Sequence, residues 1–207
     1  MNKVDIEAAK KGQEVWEEGV ALREAGRISE AIEAFKTAAE SGNAAGYVDL
    51  AGVEDDRGNY EEARNWMRKA EDLAAQGDAF ANLACSLAYR LGRGYEGTFE
   101  EQEQKARLFL RRSAELGNPA AQIVLANQVL RGVDGETKNE QEYEMWISRA
   151  IDQGLDDAVI SHVQNMLDMN RTIEPALMTK LEEVATHSNP AKELLQKVIR
   201  RRPGGSR

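Results

Sequence analysis

The stretches "GDAFANLACSLAYRLGRG" (residues 77–94) and "GNPAAQIVLANQVLRG" (residues 117–132) state one pattern twice. Each opens on a glycine, continues with Asp78 or Asn118, places a small residue at Ala81 or Ala121, and closes on glycine. The same sentence stands at "SGNAAGYVDLA" from residue 41 and "QGLDDAVISHVQNML" from residue 153, so Gly42, Gly77, Gly117 and Gly154 mark a common phase. "HSNPAKELLQKVI" continues the series with Ser188 in the glycine's place. Repetition at this period is the mark of a helical array.

The phase-marking glycines suit the left-handed position after a helix, and Asn43, Asp78, Asn118 and Asp156 behind them suit the cap of the next helix. Gly46, Ala81, Ala121 and Ala158 are the small residues that close approach of helices requires, with Lys192 departing in the last copy. Before each glycine lies a second amphipathic segment, and aligning these puts Ala34, Trp66, Phe109 and Trp146 together, followed by Phe35, Met67, Leu110 and Ile147. In the second copy the aromatic lies farther from the glycine, which calls for a helix longer by about one turn near residues 71–76.

The resulting expectation is eleven helices, near 5–25, 28–41, 44–57, 60–76, 78–91, 100–116, 119–131, 139–153, 156–169, 174–187 and 190–201. The fold class is all-α: a right-handed α-α superhelix of about five helix-turn-helix repeats plus a C-terminal capping helix. Residues 1–201 form a single repeat domain in this reading, and 202–207 a flexible basic tail.

The units quoted above, with "EQKARLFLRRSAELGN" and "YEMWISRAIDQG", resemble Sel-one-like repeats, relatives of the tetratricopeptide repeat. The opening "EVWEEGVALREAGRISEAIEAFKTAAESG" is similar to an ordinary tetratricopeptide unit at Gly19, Gly26, Ala31, Phe35 and Ala38. The resemblance implies an adaptor or scaffold, with the first helix of each unit lining a concave working face. That places Trp16, Arg23, Asp55, Arg90, Asn127 and Gln164 towards a partner, with Asp56 beside Asp55 at the same helix end. Val48, Leu83, Ile123 and Ile160 recur at one repeat position and read as core.

Composition narrows the classes of function. The net charge is -9, and the body before the basic residues of 190–207 is more acidic still, which opposes binding to nucleic acid and favours a basic protein partner. Cys85 is the only cysteine, which excludes an intrachain disulfide and a cysteine-based zinc site. The charged start lacks a signal peptide's apolar core and no apolar run is long enough to span a bilayer, so the expectation is a soluble, cytoplasmic protein with no membrane partner.

Gly92-x-Gly94-x-x-Gly97 has the spacing of a dinucleotide fingerprint, but that meaning needs a preceding strand, so the segment reads as the turn between two helices of one unit. Tyr95, with Arg90 and Arg93, gives that turn the composition of a contact point. His162 and His187 lie in different helices without nucleophile or metal-site company, and His162 reads as a buried core histidine. No catalytic, metal or cofactor residue is expected. Arg200 to Arg202 sit where a helix dipole favours cations. Two functional classes stay open: a non-catalytic protein-interaction module, and a bacterial immunity protein covering a cognate toxin.

Overall fold

Every expected helix is present, with ends within about three residues of expectation. They are α1 (Lys3–Glu24), α2 (Ile28–Glu40), α3 (Ala44–Asp56), α4 (Tyr60–Ala75), α5 (Ala79–Arg90) and α6 (Phe99–Glu115). The rest are α7 (Pro119–Arg131), α8 (Glu140–Asp152), α9 (Asp156–Asp168), α10 (Pro175–Val184) and α11 (Asn189–Arg201). The computed structural model describes residues 3–92 and 97–201, with side chains from Lys10 onward, and there is no strand among them. Gly92 therefore follows a helix and not the strand that a dinucleotide fingerprint needs, and Gly94 lies outside the described residues.

Two compact units are present, Met1–Ala121 and Gln122–Arg207, and their boundary falls inside α7. In the first unit consecutive helices pack on one another from α1 to α6, and α3 also touches α5. In the second, α8, α9, α10 and α11 pack in sequence, and α9 also touches α11. Short turns set consecutive helices antiparallel, the arrangement of helical-repeat proteins.

The caps explain where the helices begin. Asn43 accepts from the Ala45 amide at 2.9 Å, Asp78 from Ala81 at 2.7 Å and Asn118 from Ala121 at 3.0 Å. Each such cap stabilises its helix by about 1 kcal/mol. Asp156 departs from expectation: Leu155 holds the cap position without a side-chain bond, and Asp156 instead meets His187 Nε2 at 2.7 Å. In the last copy Ser188 itself caps α11, accepting from the Ala191 amide at 3.4 Å. Ser188 thus stands in the cap's place and not the glycine's, so the small-residue position falls on fully buried Ala191 and Lys192 is no departure from the pattern.

Close packing sits on the small residues. Ala81, Ala121 and Ala158 are all fully buried. At Gly46 an added Cβ would lie 2.7 Å from the Phe35 carbonyl oxygen and 2.8 Å from the Ala39 nitrogen, so α2 and α3 meet backbone to backbone there. Phe35, Met67, Leu110 and Ile147 are the buried anchors of α2, α4, α6 and α8. Past its anchor α4 runs to Ala75, about one turn farther than α2 or α8 runs past theirs, as expected; α6 instead gains its extra turn at the start. That start is fixed by a capping box, in which Thr98 accepts from the Glu101 amide at 3.3 Å and the Glu101 carboxylate accepts from the Thr98 amide at 2.6 Å.

Candidate functional site

Counting from the caps Asn43, Asp78, Asn118, Leu155 and Ser188 aligns the first helices of successive pairs residue by residue. Gly52, Leu87, Asn127, Gln164 and Lys197 then form one column, and Asp56, Leu91, Arg131, Asp168 and Arg201 another. Most residues expected to meet a partner fall on or beside these columns.

Several of them are already bonded. In the first unit Trp16 Nε1 donates to Asp49 Oδ2 at 2.7 Å, and the Arg23 guanidinium pairs with the other Asp49 oxygen while lying 5.6 Å from the centre of the Phe35 ring. In the second unit Asn127 Nδ2 donates to Ser161 Oγ at 3.1 Å, and its carbonyl accepts from Asn165 Nδ2 at 2.7 Å. Gln164 donates to Asp168 at 2.6 Å and accepts from Lys197 Nζ at 3.3 Å, and Arg201 reaches the Leu167 carbonyl at 2.9 Å. Trp16, Arg23, Asn127 and Gln164 therefore tie one first helix to the next. Asp49, Ser161, Asn165 and Lys197 are the partners that sequence reading missed; the available signal was their spacing of about one repeat.

Asp55 and Asp56 differ. They end α3, and neither carboxylate has a hydrogen-bond or ion-pair partner among the described residues. Arg90, half-buried, ends α5. Arg93 and Tyr95, expected to form a contact point with it, lie outside the described residues.

The face of α5 turned away from the core is apolar. At 100° per residue Phe80, Leu83, Leu87 and Leu91 share about 80° of arc, opposite buried Ala81, Cys85, Ala88 and Tyr89. Phe80 is 71% exposed, Leu87 49% and Leu91 67%. The matching columns of α3, α7 and α9 carry glycine or polar residues at the Leu87 level.

In a search of solved structures, two helical-repeat proteins match nearly the whole chain. One is a protective antigen present in uropathogenic Escherichia coli strains and displaying an SLR fold: 26% identity, TM-score 0.59, covering 93% of this chain and 42% of that one. The other is a Sel1 repeat protein from Oxalobacter formigenes: 23% identity, TM-score 0.58, covering 88% of this chain and 74% of that one. The chain has the Sel-one-like repeat fold. It spans less than half the length of the Escherichia coli protein. No family model matches the sequence, and neither does any curated protein. This repeat fold generally mediates protein–protein interaction and is typically non-catalytic.

Several buried polar groups of the repeats bond to one another, while Asn82 Oδ1, Asn118 Nδ2 and Gln128 Oε1 are buried without a hydrogen-bond partner among the described residues. His162 is buried, as expected, and its Nδ1 meets the Tyr143 hydroxyl at 2.7 Å, while Asn165 donates to that hydroxyl at 3.4 Å. With the hydroxyl donating to Nδ1, the imidazole proton sits on Nε2, 3.8 Å from Glu144. Burial pushes the His162 pKa below its usual 6.5, pushes the Tyr143 hydroxyl up to about 12 and raises the Glu144 carboxyl. In the first unit the Tyr89 hydroxyl donates to Glu71 and accepts from Lys105 Nζ at 3.1 Å, and burial followed by the Glu71 bond and charge raises its pKa. Burial, with a contribution from Glu71, pushes the Cys85 thiol up to about 12, which makes it a packed apolar group. Among the described residues no group of three or more His, Cys, Asp and Glu is placed to hold a metal, and no helix is long and apolar enough to cross a membrane.

Proposed function

We propose that the chain is a non-catalytic protein-interaction module that docks a partner on the outward face of its first helices. The observation that supports this best is the contrast along that face. The Trp16–Asp49–Arg23, Tyr143–His162–Asn165 and Tyr89–Glu71–Lys105 groups are paired within the repeats, whereas Asp55 and Asp56 have no partner among the described residues and the apolar side of α5 is left exposed. Helices ordered by neighbour packing lose little conformational entropy when a partner docks. In the first unit Arg90 extends the proposed surface and Trp16 and Arg23 set its scaffold; in the second unit Asn127 and Gln164 do the same for its own first helices, and Arg93 and Tyr95, outside the described residues, are proposed contacts by sequence alone. The net charge of -9 favours a basic partner.

The test is a photo-crosslinking amino acid placed at Asp56 or, as a control, at exposed Asp72 on α4, in the native cells. The proposal expects a discrete adduct from position 56 and none from position 72. Adducts from position 72 alone would move the working face to the second helices. The acidic charge also supports a second reading, an inhibitor of a basic toxin, for which co-expression must rescue cells poisoned by a toxin encoded nearby.

A further inference from the structure

Resting on the reading of the first helices as a docking face, we infer that α5 receives an amphipathic helix of another protein, one that pairs an apolar stripe with lysine or arginine at one end. Phe80, Leu83, Leu87 and Leu91 form a continuous ridge spanning about 16 Å of helix axis, the length of roughly three turns. An apolar ridge of that length on a helix matches helix-on-helix docking, where anchors spaced three and four apart interdigitate. Two features of the neighbouring helix complete the site. At the Leu87 level α3 has Gly52, a buried residue that adds no side chain of its own beside the ridge. At the Leu91 level α3 ends in Asp55 and Asp56, and because α3 packs against α5 these carboxylates flank one end of the ridge.

The occupant follows from the charge. Two carboxylates without a partner among the described residues, beside an apolar ridge, favour cations at the end of the incoming helix. They disfavour a second copy of this chain, whose own unit would bring the same acids. In the second unit the corresponding positions are occupied by Asn127, Gln164 and Lys197, which bond to neighbouring helices, so no such ridge exists there. The site belongs to α3 and α5.

The experiment uses the full chain and a synthetic, fluorescently labelled amphipathic helix of roughly four turns, bearing a leucine stripe and a lysine-rich end. A second peptide keeps the leucines and exchanges lysine for glutamate. The expected result is saturable binding of the lysine peptide, at least about tenfold weaker binding of the glutamate peptide, and loss of that preference at about 1 M salt, where charges are screened within about 3 Å. The double variant Phe80→Ala, Leu87→Asn installs the residues that α7 carries at the same positions, Ala120 and Asn127, so the fold has a precedent for them. It must weaken the lysine peptide at least about tenfold with an unchanged melting temperature, and Asp55→Asn, Asp56→Asn must erase the lysine preference alone.

Equal binding of the two peptides, or full binding by the Phe80→Ala, Leu87→Asn variant, overturns the proposal. So does a wild-type dimer in sedimentation that this variant converts to monomer, since the ridge would then belong to a second copy. A position-56 adduct in cells combined with no peptide binding would leave the docking face standing and remove only this occupant.

Discussion

Replacing Gly46 with alanine separates two accounts of the repeat. By pattern the change is benign, because Ala81, Ala121 and Ala158 occupy the same place in later repeats, and alanine exceeds glycine in helix propensity by up to about 1 kcal/mol. In the structure the new Cβ would stand 2.7 Å from the Phe35 oxygen, against an ordinary contact of 3.4 Å or more, and both neighbours are backbone atoms of α2 that cannot rotate aside. The helices must part by roughly 0.7 Å, and overpacking of this kind costs about 1–3 kcal/mol. After the full propensity gain the net loss is up to about 2 kcal/mol, which lowers the melting temperature by up to about 8 °C for a chain of this size. The reverse exchange, Ala81→Gly, also lowers it, by about 1 kcal/mol of lost propensity plus a buried methyl group. Thermal unfolding followed by circular dichroism measures both. A rise in melting temperature for Gly46→Ala would refute the backbone contact between α2 and α3.

Other expectations test the polar groups. Since the folded chain keeps His162 neutral where the unfolded chain protonates it, stability is full above about pH 6.5 and falls as pH drops below that value. In urea titrations at pH 7.5 and 5.5, His162→Leu, which restores the leucine that Leu50 and Leu125 supply, should flatten part of that dependence; an identical slope would refute the assignment. Asp49→Ala leaves the Trp16 indole and the Arg23 guanidinium without their shared acceptor and should cost about 1–3 kcal/mol in denaturant midpoints. Coupling below about 0.5 kcal/mol in a double-mutant cycle with Trp16→Phe would mean that the bond contributes nothing. The Cys85 thiol, held at about 12, should resist iodoacetamide at pH 8 in the native chain and react in urea, as mass spectrometry would show.

The period, the helix count and most caps were legible because each is written locally, in a glycine followed by a capping side chain. Where that local signal weakened, the reading slipped. Leu155 cannot cap, so the sequence offers Asp156 for the role, and without a glycine before Ser188 the pattern places the last repeat one residue off, which buried Ala191 corrects. The bonds of Asp49 with Trp16 and of Asn127 with Ser161 join residues a full repeat apart, so they emerge only once the helices are in register. On α5, Leu83 shares a repeat position with Val48 and reads as core, yet the helix turns Leu87 and Leu91 outward beside it. Whether a leucine is floor or surface depends on rotation of the helix, which repeat alignment alone leaves unset.

The cross-repeat bonds of the second unit have a mechanical meaning. Asn127 with Ser161, Gln164 with Lys197 and the Leu167 carbonyl with Arg201 each close a loop of one repeat and no more. A chain stapled at that interval resists tension in instalments, because breaking one staple frees only the residues between its ends. Held in an optical trap and stretched, the second unit should lengthen in steps of about 120 Å, the extended reach of one repeat.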